Sequence, residues 1–497
     1  MLAVGVLAVG VLAVLVRLPF LQVPFTADEG GYSYIAWFAA RGDGLYSELW
    51  IDRPQLLVWT FQLVQGWVGA GTQDLRLAGA VYNAASAVAV VGLASRFLTL
   101  RWALLAGALF AWFSASPQIE GFTVNGEFLT TLPSTIAVLL LAVWLGLPAD
   151  RVWRGVGVVT LVGAGLACGI AFLCKQSGID AGLALALVLA VAAVRGELSV
   201  RRCLLAIAWF GVGVVVVVGA ALVHGWGVAG NDYVSAVYGY RLRHDTFSSE
   251  PLAVRWQLFR DSLPQVLLAL GPLLLLAPFG ARALSRTGSE ARLLPAWLLA
   301  LTFAVVLGGQ FHPHYYVALV PALAILAAAG CAGLFARPIG AGLVVAAVAA
   351  VGWAGISAFD TLRLARADDP VSVSWAVFHE SRYLTDPAVG QWLGAHTRPD
   401  ETILGLYAAA DLYHEAHRRS AYPYLWFRGL ATIPGAGDRL LAVLVDPSKH
   451  PSYVAVVQPP GEIDPSGRLA GLLRRHYQPA ASVHGVAILR ADERTFG

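Results

Sequence analysis

Apolar runs long enough to cross a bilayer recur from the N-terminus to about residue 358 and then stop. They read as eleven spans, at residues 2–23, 77–95, 102–115, 128–147, 155–174, 178–194, 203–223, 263–280, 293–309, 315–335 and 338–358. A hydrocarbon core of about 30 Å asks for roughly 20 apolar residues per helix. The first run lacks a basic leader and a small-residue cleavage pattern, so it reads as a retained helix and not as a signal peptide. Residues 359–497 are polar, rich in Pro and His, and contain no run of spanning length. Within them "ETILGLY", "YVAVVQP" and "VAILRA" predict strands, while "PAVGQWLGAH" and "AADLYHEAHRR" predict helices. The pattern therefore predicts a polytopic α-helical membrane protein with about 11 transmembrane helices (residues 1–358) and a C-terminal extracytoplasmic α/β domain (residues 359–497).

Composition agrees: 58% of residues are hydrophobic and 13% charged, outside the habits of soluble domains. The net charge of +3 is small, and its placement matters more than its size. Arg96 and Arg101, Arg151 and Arg154, Arg195, Arg201 and Arg202, Arg282, Arg286 and Arg292, and Arg337 all fall in connections on one side, which the positive-inside rule makes cytoplasmic. Nothing points to nucleic acid. Cys168, Cys174, Cys203 and Cys331 lie in or beside apolar runs and read as small core residues. No internal repeat supports an inverted-repeat transporter.

The chemistry then concentrates in the opposite connections. In "FTADEGGY", within the long loop 24–76, Thr26 to Glu29 spells a capping box that starts a helix. Glu29 has either that structural role or a catalytic one. Asp28 is not needed for the cap, and neighbouring helical residues point about 100° apart, so one of the pair aims into a given cavity. Asp28 is the better catalytic choice, because a helix N-terminus favours its ionised form. Tyr32 follows one turn later as a binding candidate. Arg53 and Pro54 precede an apolar stretch suited to an interfacial helix, where Arg53 either snorkels to headgroups or pairs with a phosphate. Glu127 stands at the mouth of the fourth span, as a helix-start carboxylate or a site residue. Lys175, one of only two lysines in the chain, sits between two spans, as a solvated turn residue or as a cation reaching into a cavity. Arg241 and Arg243, interleaved with Tyr238 and Tyr240 and followed by His244, suit an anionic headgroup or ordinary interfacial anchoring. His312 and His314 open the tenth span, but no clear third ligand accompanies them. "HEAHRR" lacks the second His spacing of a zinc motif and reads as a solvated helix face.

An Asp-Glu pair after helix one, an outer segment with Arg53-Pro54 feeding an interfacial helix, Lys175-Gln176 after a mid-chain span, and His312-Pro-His314-Tyr-Tyr with a "VPALA" tenth span together resemble the GT-C membrane glycosyltransferases. The pattern is most similar to the protein O-mannosyltransferase, lipid A aminoarabinose transferase and rhizobial galacturonosyltransferase-like branch, over roughly residues 10–335. The resemblance implies a polyprenyl-phosphate sugar donor, an envelope acceptor, Asp28 (with Glu29) as catalytic carboxylate and an inverting transfer on the outer face of the cell membrane. Arg53, Lys175, Arg241 and Arg243 would stabilise the departing phosphate. The aminoarabinose transferases carry Lys-Pro-Pro where this chain has Arg53, Pro54 and Gln55. The pattern names no cofactor and leaves the need for a divalent metal open, since Asp28, Glu29 and Glu127 could together take one. The competing reading is a polyprenyl-linked sugar flippase without transferase activity.

Overall fold

The computed structural model describes residues 2–148, 151–240, 242, 251–285, 288–335, 341–406 and 410–496. Arg241, Arg243 and His244, and the topology arginines Arg286 and Arg337, lie outside the described residues.

The bundle is built from α1 (Leu2–Leu15), α4 (Thr72–Ala94), α5 (Leu100–Phe113), α6 (Gly126–Leu145), α7 (Gly155–Cys174), α8 (Asp180–Val194), α9 (Val200–Ala229), α11 (Leu252–Leu284), α12 (Leu293–Gly308), α13 (Val320–Gly333) and α14 (Ala341–Ala365). These stand where the eleven apolar runs stand. Among the described residues nine helical stretches are long and apolar enough to span, and α5 and α8 are shorter. At 14 residues α5 covers only about 21 Å, and the buried turn Pro117–Ile119 continues beyond it. Val215, Val216 and Val223 on α9 and Val348, Val351 and Phe359 on α14 are exposed, which a lipid surround explains and water does not. The chain is a multi-pass membrane protein.

Two helices interrupt the bundle on one side: α2 (Ala27–Ala39) and α3 (Gln55–Trp67). The Thr26 hydroxyl accepts the Glu29 amide at 3.2 Å, and the Glu29 carboxylate accepts the Thr26 amide at 3.2 Å, so the capping box forms. Pro54 stands at the N-cap position of α3, immediately before Gln55. A short helix α10 (Asn231–Val234) follows α9 on that same side.

After α14, which runs on to Ala365, come α15 (Pro370–Phe378), α16 (Arg382–His396), β1 (Thr402–Leu406), α17 (Ala410–Ala416), β2 (Arg419–Ser420), β3 (Tyr453–Val456), β4 (Tyr477–Val483) and β5 (Val486–Ala491). The sheet order is β2-β1-β3-β5-β4, with β1 parallel to β2 and β3, and β5 antiparallel to β3 and β4. The three strands read from sequence are β1, β3 and β5. β4 escaped because its Pro479 reads as a breaker; it is an edge strand whose register shifts between Pro479 and Ala481.

The face of α17 is a correction. The segment "HEAHRR", expected to be solvated, is so only in part: His417 is exposed, but His414 is 6% exposed and Ala416 buried, and the preceding Asp411, Leu412 and Tyr413 are buried, the last two in one core with Phe25, Tyr34 and Ile35. The Tyr34 hydroxyl accepts the Ser420 amide at 2.8 Å, and Arg419 makes a two-bond pair with Asp43 at 2.8 and 2.9 Å. The sheet region and the loop after α1 thus share one interior.

Candidate active site

Between the sheet region and the bundle lies a cavity of about 450 Å³. Its upper wall comes from the start of α2, the segment before α3 and residues 378–383 and 426 of the C-terminal region. On the bundle side its lining includes Asp180 and Leu183 of α8 and Leu301, Phe303 and Val305 of α12, and Phe303 is 54% exposed on the flank of the bundle.

The upper chamber gathers most of the expected residues. Asp28, Tyr32, Arg53, Glu127, Lys175, His312 and His314 all line it. Asp28 accepts the Tyr32 hydroxyl at 3.2 Å on one oxygen and the Trp426 indole N–H at 3.0 Å on the other. The Arg53 Nη1 donates to Asp52 at 2.7 Å, and its carbonyl accepts the Tyr46 hydroxyl. The Arg53 Nε is buried without a hydrogen-bond partner, a donor left over for an anion. Asp52, Tyr32 and Asp28 hold the guanidinium well above its ordinary pKa, against the burial that opposes them. Lys175 is 9% exposed, paired with Glu127, and 4.2 Å from the centre of the Tyr315 ring. Burial lowers its pKa against the pull of Glu127. The solvated-turn alternative for Lys175 does not hold. Gln176 ties the same turn to the carbonyls of Asp52 at 2.7 Å and Val237 at 3.1 Å. His314 bonds Glu120 at 2.7 Å and stacks on His312.

Local backbone supports this arrangement at some cost. Tyr46, Glu120 and Phe311 have φ of 75°, 52° and 50°, a region costly for residues with a side chain, and each lies at or beside the chamber. Arg17 donates to the carbonyls of Ser114 and Gly121 at 2.8 and 2.7 Å and so fixes the turn that carries Glu120. The two glycines after Glu29 serve the C-terminal region: a Cβ on Gly30 would lie 2.4 Å from the Asp411 backbone, and one on Gly31 2.5 Å from the Trp426 ring.

With this geometry in place, solved structures supply the comparison. ArnT from Cupriavidus metallidurans, bound to undecaprenyl phosphate, matches with a TM-score of 0.64 and 18% identity over 98% of this chain and 97% of that one. The same protein in the apo state gives 0.65 at 18% identity over 100% and 98%. The Archaeoglobus fulgidus oligosaccharyltransferase tethered to an acceptor peptide gives 0.54 at 14% identity over 95% of this chain and 72% of that chain. The chain therefore shares its fold with ArnT and with the archaeal oligosaccharyltransferase. No protein-family model and no curated protein matches the sequence.

Within this fold, Glu29 does not line the cavity. Its carboxylate is 0% exposed, bonded to Arg76 at 2.8 and 3.1 Å, to the Val124 amide at 2.8 Å and to the Thr26 amide. The expected metal trio does not converge either. Glu29 is consumed by Arg76 and Glu127 by Lys175, and among the described residues no group of three His, Cys, Asp or Glu is disposed to hold a metal ion. The sequence reading missed Trp426, Glu120, Asp52 and Arg382, all on the cavity wall. Asp52 stood next to Arg53. Trp426 comes from a region 398 residues away, where "YPYLWF" carries no pattern that separates a site residue from a core aromatic.

Proposed function

We propose that the protein is a membrane glycosyltransferase that moves a sugar from a polyprenyl-phosphate donor to an acceptor hydroxyl, with Asp28 as the catalytic carboxylate. The observation that carries this reading is one cavity whose lining combines Asp28, Arg53 and Lys175 with the apolar residues Leu183, Leu301, Phe303 and Val305 on the bundle side. That lining suits a ligand with an anionic head and a long hydrocarbon tail. The ArnT to which the chain is similar binds undecaprenyl phosphate, which supports the same ligand class here.

In the transfer, the acceptor oxygen forms a bond to the anomeric carbon as the bond from that carbon to the phosphate oxygen breaks, and the electron pair leaves with the phosphate. Asp28 takes the acceptor's proton. Attack from the face opposite the leaving group inverts the configuration. Charge grows on the phosphate as it departs, so Arg53 and Lys175 stabilise the transition state more than the ground state. Tyr32 and Trp426 hold both oxygens of Asp28 and fix the direction of its open lone pairs. The arginines at the far ends of the helices support an extracytoplasmic position for the cavity.

The test is turnover of a panel of undecaprenyl-phosphate sugars by the full chain in nanodiscs, read as free undecaprenyl phosphate, with envelope extract as acceptor. Sugar-dependent release supports the transferase. Silence with every donor, with and without extract, rejects it in favour of a carrier.

A further inference from the structure

A second cavity, of about 270 Å³, opens beside the first on the side of the sheet region. It is assembled from three distant parts of the chain: the loop before α3, the segment following α9, and the C-terminal region after β2. Its floor is aromatic. Trp50 meets Tyr240 at 5.0 Å and Tyr424 at 5.3 Å, both edge to face, so the three rings form a corner with flat faces turned in more than one direction. The rim is polar, with Ser47, Asp232 and Arg439, the last standing 5.9 Å from the Tyr424 ring centre. Trp50 and Tyr240 line both cavities and form the partition between them.

We propose that this second cavity is a saccharide-binding subsite that seats the sugar portion of the acceptor, an inference that rests on the transferase reading above. A pyranose has weakly positive C–H faces, which lie against the negative face of an aromatic ring, and hydroxyls around its edge that pair with carboxylate, guanidinium and hydroxyl groups. An aromatic corner with a carboxylate and a guanidinium on its rim matches both needs. A purely apolar acceptor would leave Asp232 and Arg439 unused, and a simple anion would leave the rings unused. The volume is near the lower end of small-molecule sites, about 300 Å³, which fits one sugar ring better than a protein segment. The shared wall of Trp50 and Tyr240 then brings a sugar seated in the second cavity to the edge of the chamber that holds Asp28.

The experiment is saturation-transfer difference NMR on the full chain in nanodiscs, with maltotriose, mannotriose and chitotriose as probes. Tyr424→Leu and Asp232→Asn are the variants; Asp232 is exposed, so its isosteric change leaves the fold intact. At least one trisaccharide should receive saturation from wild type, and its binding should weaken roughly fivefold in Tyr424→Leu and measurably in Asp232→Asn. The subsite is overturned if no trisaccharide receives saturation, or if both variants bind as wild type does. The two proposals fail separately. Saccharide binding without donor turnover keeps the cavity as a saccharide site but removes its acceptor role together with the transferase, and donor turnover without saccharide binding removes the subsite and keeps the transferase.

Discussion

Asp28 and Glu29 are neighbours in sequence, yet the regions they enter are built to opposite ends. Around Glu29 every donor is spent: Arg76 makes two bonds to it, the Val124 and Thr26 amides add two more, and Arg76 also binds the carbonyls of Phe20 and Pro24. That knot locks the end of α1, the start of α2 and the entry to α6 together. Around Asp28 the arrangement is looser and incomplete. Two neutral donors hold it, Arg53 keeps an unpaired Nε nearby, and Lys175 stands paired but at the edge of an open chamber. A fully satisfied buried pair gives stability and fixed geometry, whereas a partly satisfied one beside a cavity is where a ligand finds unmet hydrogen bonds.

The comparison breaks most readily by exchanging the two carboxylates for their amides. Asp28→Asn should lower turnover by roughly 10²- to 10⁴-fold, the usual scale for a lost general base, while the melting temperature stays near wild type. Glu29→Gln should do the converse, costing about 3–5 kcal/mol of stability because it leaves Arg76 buried and charged without its partner, with the activity loss tracking the unfolded fraction. Denaturation in nanodiscs measured beside turnover separates the two. A smaller effect sharpens the picture from the far side of the chamber. Trp426→Phe keeps an aromatic ring and removes the N–H given to Asp28, and should lower kcat by roughly 10- to 100-fold, the scale of one hydrogen bond to a charged group, with KM for the donor little changed.

The smallest effect concerns how the sheet region is docked. Asp386 and Asp411 are buried beside one another's fields; Asp386 has one oxygen and Asp411 both oxygens without hydrogen-bond partners. Burial pushes Asp386 up to about 7 from an ordinary value of 3.8, against the opposing pull of Arg382. The folded state therefore holds a proton that the unfolded chain gives up between those values, so this contribution is intact below 3.8 and is lost as pH rises through about 7. Asp386→Asn should remove the Asp386 part of that dependence and raise stability at pH 8, seen as a flatter plot of melting temperature against pH.

The sequence made the bundle legible because lipid imposes a simple rule on long apolar runs, and all eleven runs became helices. It made part of the site legible because charged residues at span ends are costly, so Asp28, Arg53, Lys175 and Glu127 stood out against an apolar background. It favoured Asp28 but left the role of Glu29 open between cap and site, until Arg76 is seen to reach Glu29 from α4. The buried face of α17 and the role of Trp426 were hidden for a related reason. Both depend on the C-terminal region folding back onto α2 through Gly30 and Gly31, a long-range contact with no periodicity to announce it.

The most direct test of the account compares donor turnover by wild type, Asp28→Asn and Glu29→Gln in the same nanodiscs, each normalised to the folded fraction. The account predicts that folded Glu29→Gln turns over donor like wild type and that folded Asp28→Asn does not. Equal turnover by folded Asp28→Asn and wild type would contradict it.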